Sequence, residues 1–200
     1  MRMVPDTVCF RCGKPIRDTE KEYCRDCECK KRYFQQGRGL YIHEKKAAAA
    51  VYRFKFQNQR NFAEIFAREL AQHYKEQLKN WGVEVLIPIP LHRKKQRKRG
   101  YNQAELLARA LSKRTGIPVE TEALLRVRNT VPQKNLHPRM REQNLRGAFG
   151  VSKDWKPVKS VLLLDDIYTT GNTINKAAEM LKRAGVGKVY FLSISIGQDL

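Results

Sequence analysis

The stretch Leu162–Thr173, LLLDDIYTTGNT, sets two adjacent aspartates directly after the most apolar run of the chain, then a turn of small polar residues. The apolar part belongs to KSVLLLDDI (159–167), which lacks the alternation of a half-exposed strand. Such a near-continuous run is expected of a strand buried on both faces of a parallel sheet. In an open α/β sheet, ligands lie outside the carboxyl ends of the strands. Asp165 and Asp166 stand at such an end, and two neighbouring carboxylates there are unfavourable unless something cationic or hydroxyl-rich meets them. The next residues, Thr169, Thr170, Gly171, Asn172 and Thr173, open a helix whose free amides and dipole favour an anion. Gly171 permits close backbone approach. Carboxylates for sugar hydroxyls or a metal, beside an amide nest for phosphate, describe a ribose 5-phosphate site. The purely structural alternative is that Asp166 starts a turn and Asn172 or Thr173 caps the helix.

Outward from this stretch, strands and helices alternate. KKAAAAVYRFKFQ reads as a helix rich in alanine. RNFAEIFARELAQHYKEQLKNWG reads as a second, with Phe62, Ile65, Phe66 and Leu70 on one face and Gly82 as its stop. VEVLIPIPLH is a short buried strand, NQAELLARALSKRTG a helix closed by Gly116, and RGAFGV a short strand. GNTINKAAEMLKRAGV and KVYFLSISIG supply a further helix and a last strand. This order predicts an α/β domain with a parallel sheet flanked by helices. The chain has 200 residues, 42% hydrophobic and 30% charged, enough for one packed domain and a small accessory module. No run approaches the length of a membrane span, and the opening MRMVPDTVCF has no apolar signal segment, so a cytoplasmic location is expected.

All five cysteines fall before residue 30. In a reducing compartment that crowding argues for metal over disulfides. Cys9-x2-Cys12 and Cys24-x2-Cys27 are separated by eleven residues, the pattern of paired knuckles that give four thiolates to a structural zinc ion. Redox use of one CxxC pair and iron–sulfur binding are the alternatives, and Cys29 is the spare. Residues 1–38 hold few aliphatic side chains and are expected to fold around the metal. Gly37 and Gly39 in QQGRGLY mark the expected boundary with a larger domain over 39–200.

Forty basic residues against twenty acidic ones give a net charge of +20, a field that attracts polyanions. Six of the seven residues from 93 to 99 are cationic: Arg93, Lys94, Lys95, Arg97, Lys98 and Arg99. Read as a loop, this cluster exceeds what one pyrophosphate needs and leaves room for a nucleic-acid backbone. Tyr52, Phe54 and Phe56 alternate with Arg53 and Lys55, which fits either core packing or stacking on single-stranded nucleic acid. His43, His73, His92 and His137 are scattered without a metal or nucleophile constellation, and no Walker lysine is present.

Two resemblances add to this reading. LLLDDIYTTGNT closely resembles the phosphoribosyl pyrophosphate (PRPP) motif of type I phosphoribosyltransferases. That resemblance implies their fold, a ribose site at Asp165 and Asp166, a 5-phosphate loop over Thr169–Thr173, and PRPP with Mg²⁺ as ligand. Thr169 departs from purine-salvage members, which carry an acid there, so purine transfer is not implied. RKRGYNQA and NTVPQKNLHPRMREQNLRGAF resemble the narrower ComF-type branch of this fold. Arg128, Thr130, Gln133, Arg141 and Asn144 match that branch, in a segment placed like the mobile loop that covers PRPP. ComF-type proteins carry an N-terminal four-cysteine zinc finger, in agreement with Cys9, Cys12, Cys24 and Cys27. The branch implies a role in natural transformation: binding incoming single-stranded DNA in the cytoplasm beside a helicase-like ATPase, with a PRPP or nucleotide pocket. The wider fold implies an active phosphoribosyltransferase with an acceptor that the sequence does not reveal. Both readings stand at this point.

Overall fold

The computed structural model describes residues 1–128 and 147–198. Four parallel strands form the central sheet: β1 (Gln36–Ile42), β2 (Val85–Pro88), β5 (Ser160–Tyr168) and β6 (Lys188–Ile196), in the order β1-β6-β5-β2. Leu162 and Leu164 of β5 pack with Leu86, Leu192 and Ile194 on one face, whereas Val161 and Leu163 pack with Ile87, Val189 and Phe191 on the other. The period-two alternation of a strand therefore feeds two cores, which is why the stretch is apolar throughout.

Helices α2 (Lys45–Phe56), α3 (Phe62–His73), α4 (Lys75–Trp81) and α6 (Gln103–Thr115) cover the first face, with Val51, Phe54, Phe66, Leu70, Trp81, Leu107 and Leu111 buried against it. The single helix expected over 60–82 is two helices. At Tyr74 the backbone leaves helical geometry, and the phenol donates to the Gly39 carbonyl at 2.6 Å. Gly82 and Gly116 end their helices as expected, both in the left-handed conformation.

The second face is covered by helix α7 (Asn172–Arg183), by the cysteine module with its short helix α1 (Arg25–Cys29), and by an antiparallel ribbon of β3 (Leu124–Arg126) and β4 (Phe149–Val151). Cys9, Cys12, Cys24, Cys27 and Phe34 lie in the same buried cluster as Leu163, Leu181 and Phe191. The expected division at residue 38 falls inside β1, which begins at Gln36. Gly37 and Gly39 serve close packing in that strand: a Cβ on Gly37 would lie 1.9 Å from the Phe191 ring, and one on Gly39 2.5 Å from Ile196.

The basic segment expected as a loop is helix α5 (Arg93–Arg99). His92 caps it by accepting from the Lys94 amide at 3.3 Å, and Gly100 closes it at φ 82°. Arginine and lysine are good helix formers, a helix spreads its cations around a cylinder, and those in its last turn meet the negative end of the dipole.

Candidate functional site

The carboxyl ends of β1, β6, β5 and β2 bring together His43, Ser195, Asp165, Asp166 and Ile89. The two acids face different surroundings. Asp166 is buried, and Lys55 of α2 sits 2.8 Å from its Oδ1. Gln103 Nε2 donates to its Oδ2 at 2.6 Å. Burial pushes the Asp166 carboxyl up, but Lys55 and Gln103 outweigh it and hold the group below the usual carboxylate range. Arg99 Nη1 donates to Gln103 Oε1 at 2.6 Å, so the chain Arg99–Gln103–Asp166–Lys55 is continuous from α5 to α2.

Asp165 is only partly buried, and its Oδ1 accepts from the Asp166 amide at 2.8 Å. Burial, then repulsion from Asp166, raises its pKa to about 7, against the opposing pull of Lys55 and Arg126. At neutral pH the pair thus holds one fixed negative charge on Asp166 and one carboxyl on Asp165 poised to donate or accept.

Thr169 is exposed, while Thr170, Asn172 and Thr173 are partly buried. Gly171 is the N-cap of α7 at φ 76°, ψ 5°, and neither Asn172 nor Thr173 caps the helix as the structural alternative supposed. Gly171 has no side chain to cap the helix, and the first turn carries no acid, so the dipole there favours an anion. A Cβ on Gly171 would lie 2.3 Å from Tyr168 Oη.

Sequence reasoning missed Lys55, Gln103 and His43. His43 Nδ1 lies 2.9 Å from Ser195 Oγ, and burial, then the nearby Lys55, lowers its pKa. Gln103 stood within the RGYNQA stretch without an assigned part. Nothing local in the sequence marks Lys55 among the cations of α2. Of the three alternating aromatics, Phe54 is core, whereas Tyr52 and Phe56 are 56% and 57% exposed.

In α5, Arg93, Lys94, Arg97 and Lys98 are exposed, and Lys95 and Arg99 are partly buried. Arg128 is exposed just beyond β3, beside Gly147. Thr130, Gln133, Arg141 and Asn144 lie outside the described residues.

Cys9, Cys12, Cys24 and Cys27 are buried, with their sulfurs all within 4.8 Å of one another, while Cys29 is exposed and outside the group. Four thiolates and one divalent ion carry a net charge of −2. Three cations sit against the site: Lys14, held 2.7 Å from Asp26, and the part-buried Arg32 and Arg38. The donor set and its countercharge fit a closed tetrahedral ion.

The same module touches the Thr169–Thr173 turn. Arg32 Nη1 donates to the Thr170 carbonyl and Nη2 to the Asp26 carbonyl, each at 3.2 Å. The Tyr33 amide donates to Asn175 Oδ1 at 2.8 Å, and Asn175 Nδ2 donates to the Lys31 carbonyl at 3.0 Å. Among the described residues, Tyr168 Oη and Thr170 Oγ1 are buried without a hydrogen-bond partner beside this junction.

Residues 55–194 match the phosphoribosyl transferase domain. The chain belongs to that family. Competence protein F of Haemophilus influenzae is 31% identical over 94% of this chain and 90% of its own length. This second match places the chain in the competence protein F branch of the phosphoribosyl transferase family. DNA utilization protein YhgH of Salmonella typhimurium is 28% identical, covering 92% of this chain and 81% of the relative. Competence protein ComFC of Bacillus subtilis is 27% identical, over 92% and 75% respectively. Among solved structures, an allosteric regulatory enzyme of purine biosynthesis superposes with a TM-score of 0.46 at 19% identity, over 72% of this chain and 30% of that one. No helix of the described residues is long and apolar enough to cross a membrane.

Proposed function

We propose that this chain acts in DNA uptake, binding single-stranded DNA while retaining a pocket for a ribose 5-phosphate. The supporting observation is the half-open Asp165 beside the glycine-capped, acid-free start of α7, one geometry for sugar hydroxyls and a phosphate together. The names of the competence and DNA utilization relatives support the pathway, and the net charge of +20 supports a polyanionic partner. In this reading, Asp165 accepts from ribose hydroxyls, the amides of Thr170–Thr173 take the phosphate, and α5 contacts the nucleic-acid backbone. Arg128, Thr130, Gln133, Arg141 and Asn144 contact the ligand in this reading. Cys9, Cys12, Cys24 and Cys27 hold a structural Zn²⁺. The expected setting is the cytoplasm, beside a helicase-like ATPase.

A second reading is favoured by the family match and by Asp165, whose raised pKa suits proton exchange near neutrality. Here the chain transfers ribose 5-phosphate from PRPP to an acceptor. Mg²⁺ bound with PRPP would neutralise the departing pyrophosphate. The residues of the chain orient the sugar and exclude water.

Calorimetry with PRPP–Mg²⁺ and with a short single strand, each alone and in competition, tests both readings. The pocket is supported by PRPP binding that Asp165→Ala abolishes without lowering the thermal midpoint. Undiminished PRPP binding in that variant overturns it. Failure to bind any strand overturns the DNA reading and leaves the transferase reading, for which release of pyrophosphate is the readout.

A further inference from the structure

The last turn of α2 sends three consecutive side chains in three directions. Phe54 goes into the core, Lys55 reaches Asp166, and Phe56 turns to solvent. Tyr52, one helical turn earlier, joins Phe56, with ring centroids 5.0 Å apart at 47°. Both rings are more than half exposed. The Arg99 guanidinium lies 4.7 Å over the Phe56 ring and fixes it against α5, whose seven residues are six cations and a glutamine with none buried. Exposed rings beside a dense cationic helix offer two chemistries at once: π faces that accept unpaired bases, and charges that accept phosphates.

We propose that Tyr52 and Phe56 form a base-stacking platform for single-stranded nucleic acid, with α5 holding its backbone. This placement rests on the single-strand reading above and gives it an address. A duplex hides its base faces and gains nothing from the rings. A second copy of this chain on the same patch would set α5 near its own symmetry mate, cation against cation, which charge opposes. The platform is also wired to the pocket. Arg99, stacked on Phe56, donates to Gln103, which donates to Asp166. A strand lying on the rings would therefore be joined to Asp166 through two hydrogen bonds, Arg99 to Gln103 and Gln103 to Asp166.

The test is fluorescence anisotropy with an oligothymidine of about 20 nucleotides, an abasic strand of equal charge, and a duplex, each over a salt series. Tyr52→Ala with Phe56→Ala is expected to weaken oligothymidine binding by about 10-fold per ring, with the salt slope unchanged. Arg97→Gln with Lys98→Gln is expected to lower the slope by about 0.7 per charge. The abasic strand should bind wild type no better than oligothymidine binds the ring variant. Both rings are exposed, so their loss leaves the core intact, and a retained thermal midpoint and far-UV circular dichroism confirm the fold. Phe56→Trp should keep the affinity and lose emission on binding. Wild-type affinity in the ring variant overturns the platform alone. Loss of self-association with DNA binding intact, or tighter binding of an acidic peptide than of the strand, also overturns it. Failure of wild type to bind any strand overturns the parent reading as well.

Discussion

Lys55 decides the charge state of Asp166. Their side chains are 18% and 7% exposed, and the pair is 2.8 Å apart. Removing one partner leaves a buried charge without its countercharge, which costs about 3–5 kcal/mol. Lys55→Met is therefore expected to lose stability by that amount in urea denaturation, and Lys55→Met with Asp166→Leu to recover most of it. Equal loss in single and double variants would contradict the ion pair. Asp165 has the opposite sign. Its folded pKa, raised to about 7, favours the protonated form, so its contribution to stability is complete below about pH 4 and is lost as pH rises through 7. Asp165→Asn should flatten the fall in thermal midpoint between those limits, and an unchanged pH profile would refute the shift. At Gly171 the left-handed φ and the Tyr168 ring leave no room for a side chain. Gly171→Ala should cost about 2–4 kcal/mol by denaturation and disturb the 169–173 turn; a loss under about 0.5 kcal/mol would contradict the packing.

At the scale of elements, the strap from the cysteine module to α7 ties the 169–173 turn to the knuckles. Arg32 joins the Asp26 and Thr170 carbonyls across the junction, and Asn175 is held by the backbone of residues 31 and 33. Arg32→Ala should weaken PRPP binding by about 10-fold, the loss of a charged hydrogen bond, and speed amide exchange over 169–173. Unchanged exchange there would show that the loop holds itself. The elements themselves were largely legible. KSVLLLDDI announced a buried parallel strand because both faces of such a strand are apolar, KVYFLSISIG announced a last strand, and Gly82 and Gly116 announced helix ends because a left-handed stop favours glycine. The misreadings are also physical. The 93–99 segment has no apolar periodicity to reveal a helix, because none of its residues enters the core. Gly37 and Gly39 imitate a linker but serve the Phe191 and Ile196 side chains in a strand. Tyr74 breaks a helix whose apolar spacing runs on unbroken, through a bond to the distant Gly39 carbonyl.

For the whole molecule, the cysteine module is part of one buried cluster with the sheet. Elemental analysis should find one zinc per chain. Stripping it with a chelator should lower the midpoint of a single cooperative unfolding transition, since the knuckles, Phe34 and Phe191 unpack together. Two separate transitions would show instead that the module folds alone. The fold class, the adjacent acids at a strand end, the turn that opens α7 and the grouping of four cysteines were determined by sequence alone, because each is local: strand and helix periods, a strand-to-helix turn, and paired CxxC spacing. Which acid is neutralised, which aromatics face solvent, and what holds the 169–173 turn were decided only by tertiary structure. Gln103 meets Asp166 from 63 residues away and Arg32 meets Thr170 from 138. Pairings at such separations are set by how layers pack over the sheet, and no local pattern in the chain records them.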